Sequence, residues 1–165
     1  MPEVLFAPWR YEYLVSDKKT GCILCEAAAS DDDEVSLVVF RGKRVFVILN
    51  RYPYTNGHVM VAPLSHEAWF SDSGAETLNE LIQTVARAQK LLVAEYRTDG
   101  LNVGVNFGAA AGAGVASHYH VHVVPRWEGD TNFMTVAGGV RVVPEDLDVT
   151  RRRIAALFAK EAGAA

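Results

Sequence analysis

The stretch 117–127, SHYHVHVVPRW, constrains the fold of this chain more than any other. It places His118, His120 and His122, three of the chain's five histidines, at every second position. Side chains on a strand alternate between faces, so this period puts three imidazoles on one face. Tyr119, Val121, Val123 and Val124 are the aromatic and β-branched residues that strands favour. Pro125 lacks a ladder donor and is expected to end the pairing. One histidine is readily explained by packing. Three in alternation beside a glycine-rich loop point instead to a metal site or a catalytic surface, and imidazole suits either.

The rest of the chain supplies elements to pack that strand. Residues 36–40 and 45–50 read as two strands joined in a hairpin by Arg41-Gly42-Lys43. A third strand, 58–62, follows the turn-rich RYPYTNG loop of 51–57. The acidic run 31–34 reads as a solvated turn. Ser73-Gly74-Ala75-Glu76 matches a capping box. Leu78, Leu81, Ile82, Val85, Leu92 and Val93 then recur at helical spacing, which predicts a helix to about Tyr96, stopped by Asp99-Gly100. Residues 101–107 alternate as a strand, 108–116 form a small-residue loop, and 140–143 read as a short strand. Residues 150–160 predict a closing helix with Ile154, Leu157 and Phe158 inward. The APWRYEY stretch within 1–20 reads as a surface arm. The expected fold class is α+β, an antiparallel sheet with one long helix and a C-terminal helix. It forms one domain over 1–165, with an arm (1–20), a core (21–143) and a closing segment (144–165).

A chain of 165 residues has room for one proper core. Its net charge of -4 gives no general attraction for nucleic acid or an anionic membrane, and neither is an expected partner. Any phosphorylated ligand must be drawn by local geometry. No apolar run approaches a membrane span, and the Met-Pro-Glu opening carries no secretory pattern, so the expected compartment is the cytoplasm. In a reducing compartment the CxxC of Cys22 and Cys25 suggests metal or redox chemistry over a structural disulfide. Two cysteines are half of a tetrahedral site. A thioredoxin-like role would need a strand-then-helix context that the sequence does not offer.

Alternating histidines suit attack on phosphorus. A neutral imidazole can displace the leaving group of a phosphate ester, giving a phosphoramidate that water or another acceptor then cleaves. Neighbouring rings can donate to the phosphate oxygens or to the leaving oxygen. Gly108, Gly112 and Gly114 let backbone N–H groups approach a phosphate closely, although no Gly-Lys-Ser/Thr follows as a P-loop requires.

HYHVHVV fits the pattern His-x-His-x-His followed by two apolar residues. Together with NRYPYTNGHVMVAP (50–63), NFGAAAGAG (106–114) and PRWEGDTNFM (125–134), it makes the chain resemble the histidine triad (HIT) superfamily. The last stretch, the APWR arm and the CxxC are most similar to the fragile-histidine-triad branch and the bacterial diadenosine tetraphosphate phosphorylases related to it. The resemblance implies cleavage of dinucleoside polyphosphates through a nucleotidylated histidine, with adenosine polyphosphate and AMP as ligands. It implies a homodimer or a larger homo-oligomer.

Carried over by position, the resemblance makes His120 the nucleophile and His122 the contact to phosphate and leaving group. His118 completes the triad, and His58 supports it from behind. Asn50 would bind ribose or phosphate, and Ile48 would line the base pocket. Asn106 would grip phosphate if the loop holds one extra residue. Gly112, Gly114 and Ser117 would supply phosphate-loop contacts; Val115 stands where the family often has Ser or Thr, so a hydroxyl must come from Ser117. The resemblance further implies a structural zinc on Cys22, Cys25, His66 and His118, which leaves His120 and His122 for chemistry. The acceptor can be water or phosphate, with the arm and GDTNFM tipping toward phosphorolysis. A nucleoside phosphoramidase, or a nucleotide-binding sensor with slow turnover, are the alternatives.

Overall fold

The computed structural model describes residues 21–130 and 145–163. Two short helices, α1 (Ile23–Ala29) and α2 (Asp33–Ser36), lead into β1 (Val38–Arg41), β2 (Val45–Leu49) and β3 (Val59–Pro63). The long helix α3 (Ala75–Tyr96), β4 (Gly100–Val105), β5 (Val121–Arg126) and α4 (Leu147–Ala162) follow. All five strands form one antiparallel sheet in the order β1-β2-β3-β5-β4. The last strand among the described residues, β5, therefore inserts between β3 and β4. That topology sets the histidine segment beside the start of β3, and so beside His58.

Every residue of β2 and β3 is buried, as the run of valine, isoleucine and leucine demands. Helix α3 lays Leu81, Val85, Ala88 and Leu92 on the core, a single stripe at helical spacing. Ile82 and Val93, which the same spacing placed on that face, are exposed. Helix α4 covers the β1 end. Phe158 stacks on Phe40 at 5.0 Å, and the Arg87 guanidinium of α3 lies 4.5 and 4.8 Å from the two ring centroids. Arg87 also donates to the Phe158 carbonyl and to Glu161, so one side chain joins α3, α4 and β1. Burying a large apolar side chain contributes roughly 1.5–3 kcal/mol, and the joint rests on several.

Several sequence expectations are corrected. Pro125 does not end the pairing, because β5 continues to Arg126 with Leu101 opposite Pro125. The Pro125 carbonyl accepts from Thr55 Oγ1 at 2.7 Å, on the side where β3 has already ended. The missing N–H faces that same side and costs no ladder bond. The capping box does not form either. Gly74 is the N-cap of α3 without a side-chain bond, Ser73 Oγ is drawn to Glu67 and to Tyr119 at 2.6 Å, and Glu76 pairs with Arg44. The acidic run becomes the cap and first turn of α2, where Asp32 accepts from the amides of Glu34 and Val35. Leu37 then turns left-handed (φ 63°), so β1 starts two residues later than expected. Helix α4 starts at Leu147, capped by Asp146. The expected arm (1–20), the strand 140–143 and the TNFM segment lie outside the described residues.

Candidate active site and metal cluster

Cys22 is the N-cap of α1 and Cys25 lies within its first turn, so one helix start presents both thiols. His66 comes from the loop after β3, and His118 from the extended segment before β5. His118 is fully buried, and its Nε2 donates to the Pro63 carbonyl at 2.9 Å. A carbonyl can only accept, so the lone pair of His118 is on Nδ1. That atom lies 3.3 Å from Cys22 Sγ and 3.4 Å from Cys25 Sγ. His66 Nδ1 is 3.1 Å from Cys25 Sγ, and all four ligand atoms fall within 4.8 Å of one another. Zinc bonds of 2.0–2.3 Å would separate tetrahedral donors by about 3.3–3.8 Å. The cluster could hold such a metal with little movement. Burial and the neighbouring Cys22 push the Cys25 thiol above its ordinary value, a shift that a bound cation would reverse.

Of the neighbouring histidines, His120 is wired the other way, and His58 and His122 carry their proton on Nε2 as His118 does. His120 Nδ1 donates to the His118 carbonyl at 3.1 Å, which leaves the lone pair on Nε2. His58, 1% exposed, accepts at Nδ1 from the Tyr54 amide (3.1 Å) and from the Asn50 side-chain amide (3.4 Å). Its proton is therefore on Nε2, which donates to His122 Nδ1 at 2.9 Å. The proton of His122 is left on its own Nε2. Edge to face with His120, at 4.9 Å between centroids, it completes a pair: one ring carries a lone pair and the other a proton. Burial lowers the pKa of His118, His120 and His122, the last to about 4, with repulsion from His120 adding to its shift. His120 and His122 are neutral at neutral pH, the state an imidazole nucleophile needs.

A cleft of about 490 Å³ opens beside His122, of the size that small ligands occupy. Its lining includes Tyr54, Asn102, Gly104, Asn106, Val124 and Arg126. The ring of Tyr54 lies 4.7 Å from that of His58 and 6.0 Å from that of His122, forming a wall over the pair.

The HIT domain family matches residues 32–129. The chain belongs to the HIT family. It is 44% identical over 129 residues to the AP-4-A phosphorylase of Mycobacterium tuberculosis, covering 78% of this chain and 66% of that protein. It thus spans just under two thirds of that relative's length. A Zn-bound histidine triad family protein from Mycobacterium smegmatis has a TM-score of 0.71 at 27% identity, over 90% of this chain and all of that one. A hypothetical histidine triad nucleotide-binding protein from Sulfolobus tokodaii has a TM-score of 0.65 at 25% identity, over 84% and 93% of the two chains. The five-stranded sheet, the long helix and the C-terminal helix are those of the HIT fold.

The HIT triad does not share one ladder face here. Pairing starts at Val121, so His118 and His120 precede the strand, and the ring of His118 turns to the cysteines. Asn106 and His122 both line the cleft. The Asn50 amide is spent within its own loop, on His58 and the Tyr52 N–H. Ile48 is buried in β2 and pairs in register with Val38 and Met60. Gly112, with φ 86°, closes the short turn Ala109–Ala111. Gly112, Gly114 and Ser117 are exposed and do not line the cleft. Tyr54 and Asn102 escaped the sequence reading as site residues; the aromatic pair of RYPYTNG just before His58 was the available signal for the first. Gly57, with φ 74°, sets the turn into His58, where a Cβ would sit 2.9 Å from the Tyr96 ring. Among the described residues no helix is long and apolar enough to cross a membrane.

Proposed function

We propose that the chain cleaves dinucleoside polyphosphates, diadenosine tri- or tetraphosphate, through a nucleotidyl-histidine, and prefers phosphate to water as the second acceptor. The observation that carries this reading is the opposed wiring of His120 and His122. His120 Nε2 attacks the α-phosphorus, a P–N bond forms, and the P–O bond to the leaving nucleotide breaks. The electron pair leaves on that oxygen, where the Nε2–H of His122 donates a hydrogen bond. His58 holds His122 in the required tautomer, and the His118 carbonyl does the same for His120. Inorganic phosphate, or water, then attacks the phosphorus and breaks the P–N bond, which gives ADP or AMP and restores His120. Asn106 grips phosphate in this reading, which its position in the cleft lining supports. Asn50 acts through His58, and Ile48 backs the base pocket. Gly112, Gly114 and Ser117 keep their phosphate-loop assignment as part of this proposal. The identity to a mycobacterial AP-4-A phosphorylase supports both substrate and acceptor.

The metal of the Cys22, Cys25, His66 and His118 cluster is, in this reading, zinc. Two thiolates and two imidazoles suit it, and a similar fold is Zn-bound in M. smegmatis. When bound it supplies structural cross-linking, and no step of the reaction uses it. The division into arm (1–20), core (21–143) and closing segment (144–165), with a cytoplasmic location, belongs to the same proposal. So does a homodimer or larger assembly, which is supported by β4 at the sheet edge with Val103 49% exposed.

The test is turnover of diadenosine tetraphosphate with and without phosphate. Phosphate should raise the rate and change the products from AMP plus ATP to ADP plus ATP. Products that ignore phosphate would mark a hydrolase. Cleavage of adenosine phosphoramidate alone would mark a phosphoramidase, and tight binding without turnover a sensor.

A further inference from the structure

The cleft extends away from the nucleophile. His120 does not line it, whereas His122, Val124 and Arg126 do, at alternate positions along β5. Asn102 and Gly104 lie opposite Val124 and His122 on β4. From His122 to Arg126 the strand rises about 14 Å. Gly104 and Val124 give the middle a low floor without hydrogen-bonding side chains, and a Cβ added to Gly104 would meet nothing within 4 Å. Polar side chains gather at the two ends: His122 and Asn106 at one, Arg126, Asn102 and Asp130 at the other.

The far end is a built donor. Arg126 donates from Nε (2.5 Å) and one terminal nitrogen (2.8 Å) to Asp130, and from the other terminal nitrogen to Asn102 Oδ1 at 2.9 Å. Of the five N–H groups of a guanidinium, this clamp engages three and leaves two. The carboxylate is covered, with 12% of the Asp130 side chain exposed, while 44% of Arg126 is open. The end of the cleft therefore presents cationic donors in a fixed plane, the arrangement that recognises phosphate oxygens.

We infer that this cleft is the subsite for the leaving nucleotide, and that Arg126, clamped by Asp130 and Asn102, binds the far end of its polyphosphate and selects for substrate length. The inference rests on the proposed cleavage for its orientation, since the leaving group must depart past His122. Nothing in the attack on the α-phosphorus requires Arg126, so its effect belongs to long substrates.

The experiment measures binding of diadenosine tetraphosphate and of AMP, by calorimetry, to His120→Asn protein with and without Arg126→Gln. The dinucleotide should weaken roughly tenfold to a hundredfold, the worth of a charge-assisted contact, while AMP changes less than about twofold. Arg126→Lys, which keeps the charge and loses the fork, should fall between. Equal weakening of both ligands, no weakening of either, or no binding of the dinucleotide overturns the inference. Unchanged AMP affinity also certifies that the variant is folded. If wild-type protein fails to turn over diadenosine tetraphosphate yet its binding depends on Arg126, the cleavage reading falls and the subsite stands.

Discussion

His118 and His120 are two residues apart and do opposite things. His118 gives its Nε2 proton to the Pro63 carbonyl and turns a lone pair on Nδ1 toward two thiols. His120 gives its Nδ1 proton to the His118 carbonyl and keeps the lone pair on Nε2. In each case the backbone claims one ring nitrogen and thereby decides what the other can do. In the proposed function, one end of the histidine segment serves as a cross-link and the other as a nucleophile. The His118 carbonyl joins them: the residue of the proposed metal cluster also fixes the tautomer of the proposed nucleophile.

The sharpest way to break that comparison is at His120. His120→Asn should remove turnover by several orders of magnitude, roughly 5 kcal/mol of barrier or more, with nucleotide affinity kept within a modest factor. A tenth of wild-type activity remaining would end the covalent route. Mass spectrometry of quenched wild-type protein should locate the added nucleotidyl group on His120.

The matching change at the other end is Cys22→Ser. Protein purified without chelator should carry about one zinc per chain, and the variant should lose it. Binding of a structural metal is part of the folding free energy, so stability to urea should drop by about 3 kcal/mol or more. The surviving folded fraction should keep most of its chemistry. A variant that retains stability and loses turnover outright would make the cluster part of the active centre and erase the distinction between the two ends.

Between the ends stands His58, which belongs to neither role directly. His58→Leu removes the acceptor of the Tyr54 N–H and the donor to His122 Nδ1, and the loss of a partly buried hydrogen bond costs about 0.5–1.5 kcal/mol. Turnover should fall roughly tenfold to a hundredfold, less than at His120, because His122 loses its tautomer and not its ring. An effect as large as that of His120→Asn would mean that His58 itself touches the substrate.

The parts of the molecule legible in the sequence were those decided by local periodicity. The valine-rich strands, the stripe Leu81, Val85 and Leu92 on α3, and the reach of that helix to Tyr96 all follow from spacing. Cys22 and Cys25 were legible as half of a tetrahedral site from their spacing, His66 and His118 were added only by the family resemblance, and the structure brings the four together. What failed was decided by partners distant in sequence. Ser73 looked like a cap, but Tyr119, 46 residues on, competes for its hydroxyl. Pro125 looked like a stop, and only the sheet order shows that its missing donor faces no strand. The alternation of His118, His120 and His122 suggested one strand face, yet the ladder starts only at Val121, so His118 and His120 lie before it. The cleft was invisible because β4 and β5 meet only after the intervening loop has closed.

The smallest expected effect separates the two ends by acid. The pKa of His122 is lowered to about 4 by burial and by His120 beside it, against an ordinary value of 6.5. His58, His120 and Tyr54 pack around it, and protonation at Nδ1 would end the bond from His58. The unfolded chain therefore takes up a proton between about pH 6.5 and pH 4 that the folded chain refuses. Stability should fall as pH falls through that window, and this contribution should be constant above it. The ring is partly exposed, so the loss attributable to it is on the order of 1–2 kcal/mol, less than full burial would give. Zinc ligands also gain protons in acid, so wild type alone cannot assign the effect. Urea unfolding at pH 7 and pH 5 should be compared between wild type and His122→Asn, whose amide oxygen still accepts from His58 but does not titrate. Acid sensitivity common to both proteins belongs to the metal cluster and to the groups the variant keeps, His118 and His120 among them, and the excess in wild type belongs to His122. If the two lose the same amount, His122 is not held neutral by the fold, and the proton assigned to its Nε2 has to be placed elsewhere.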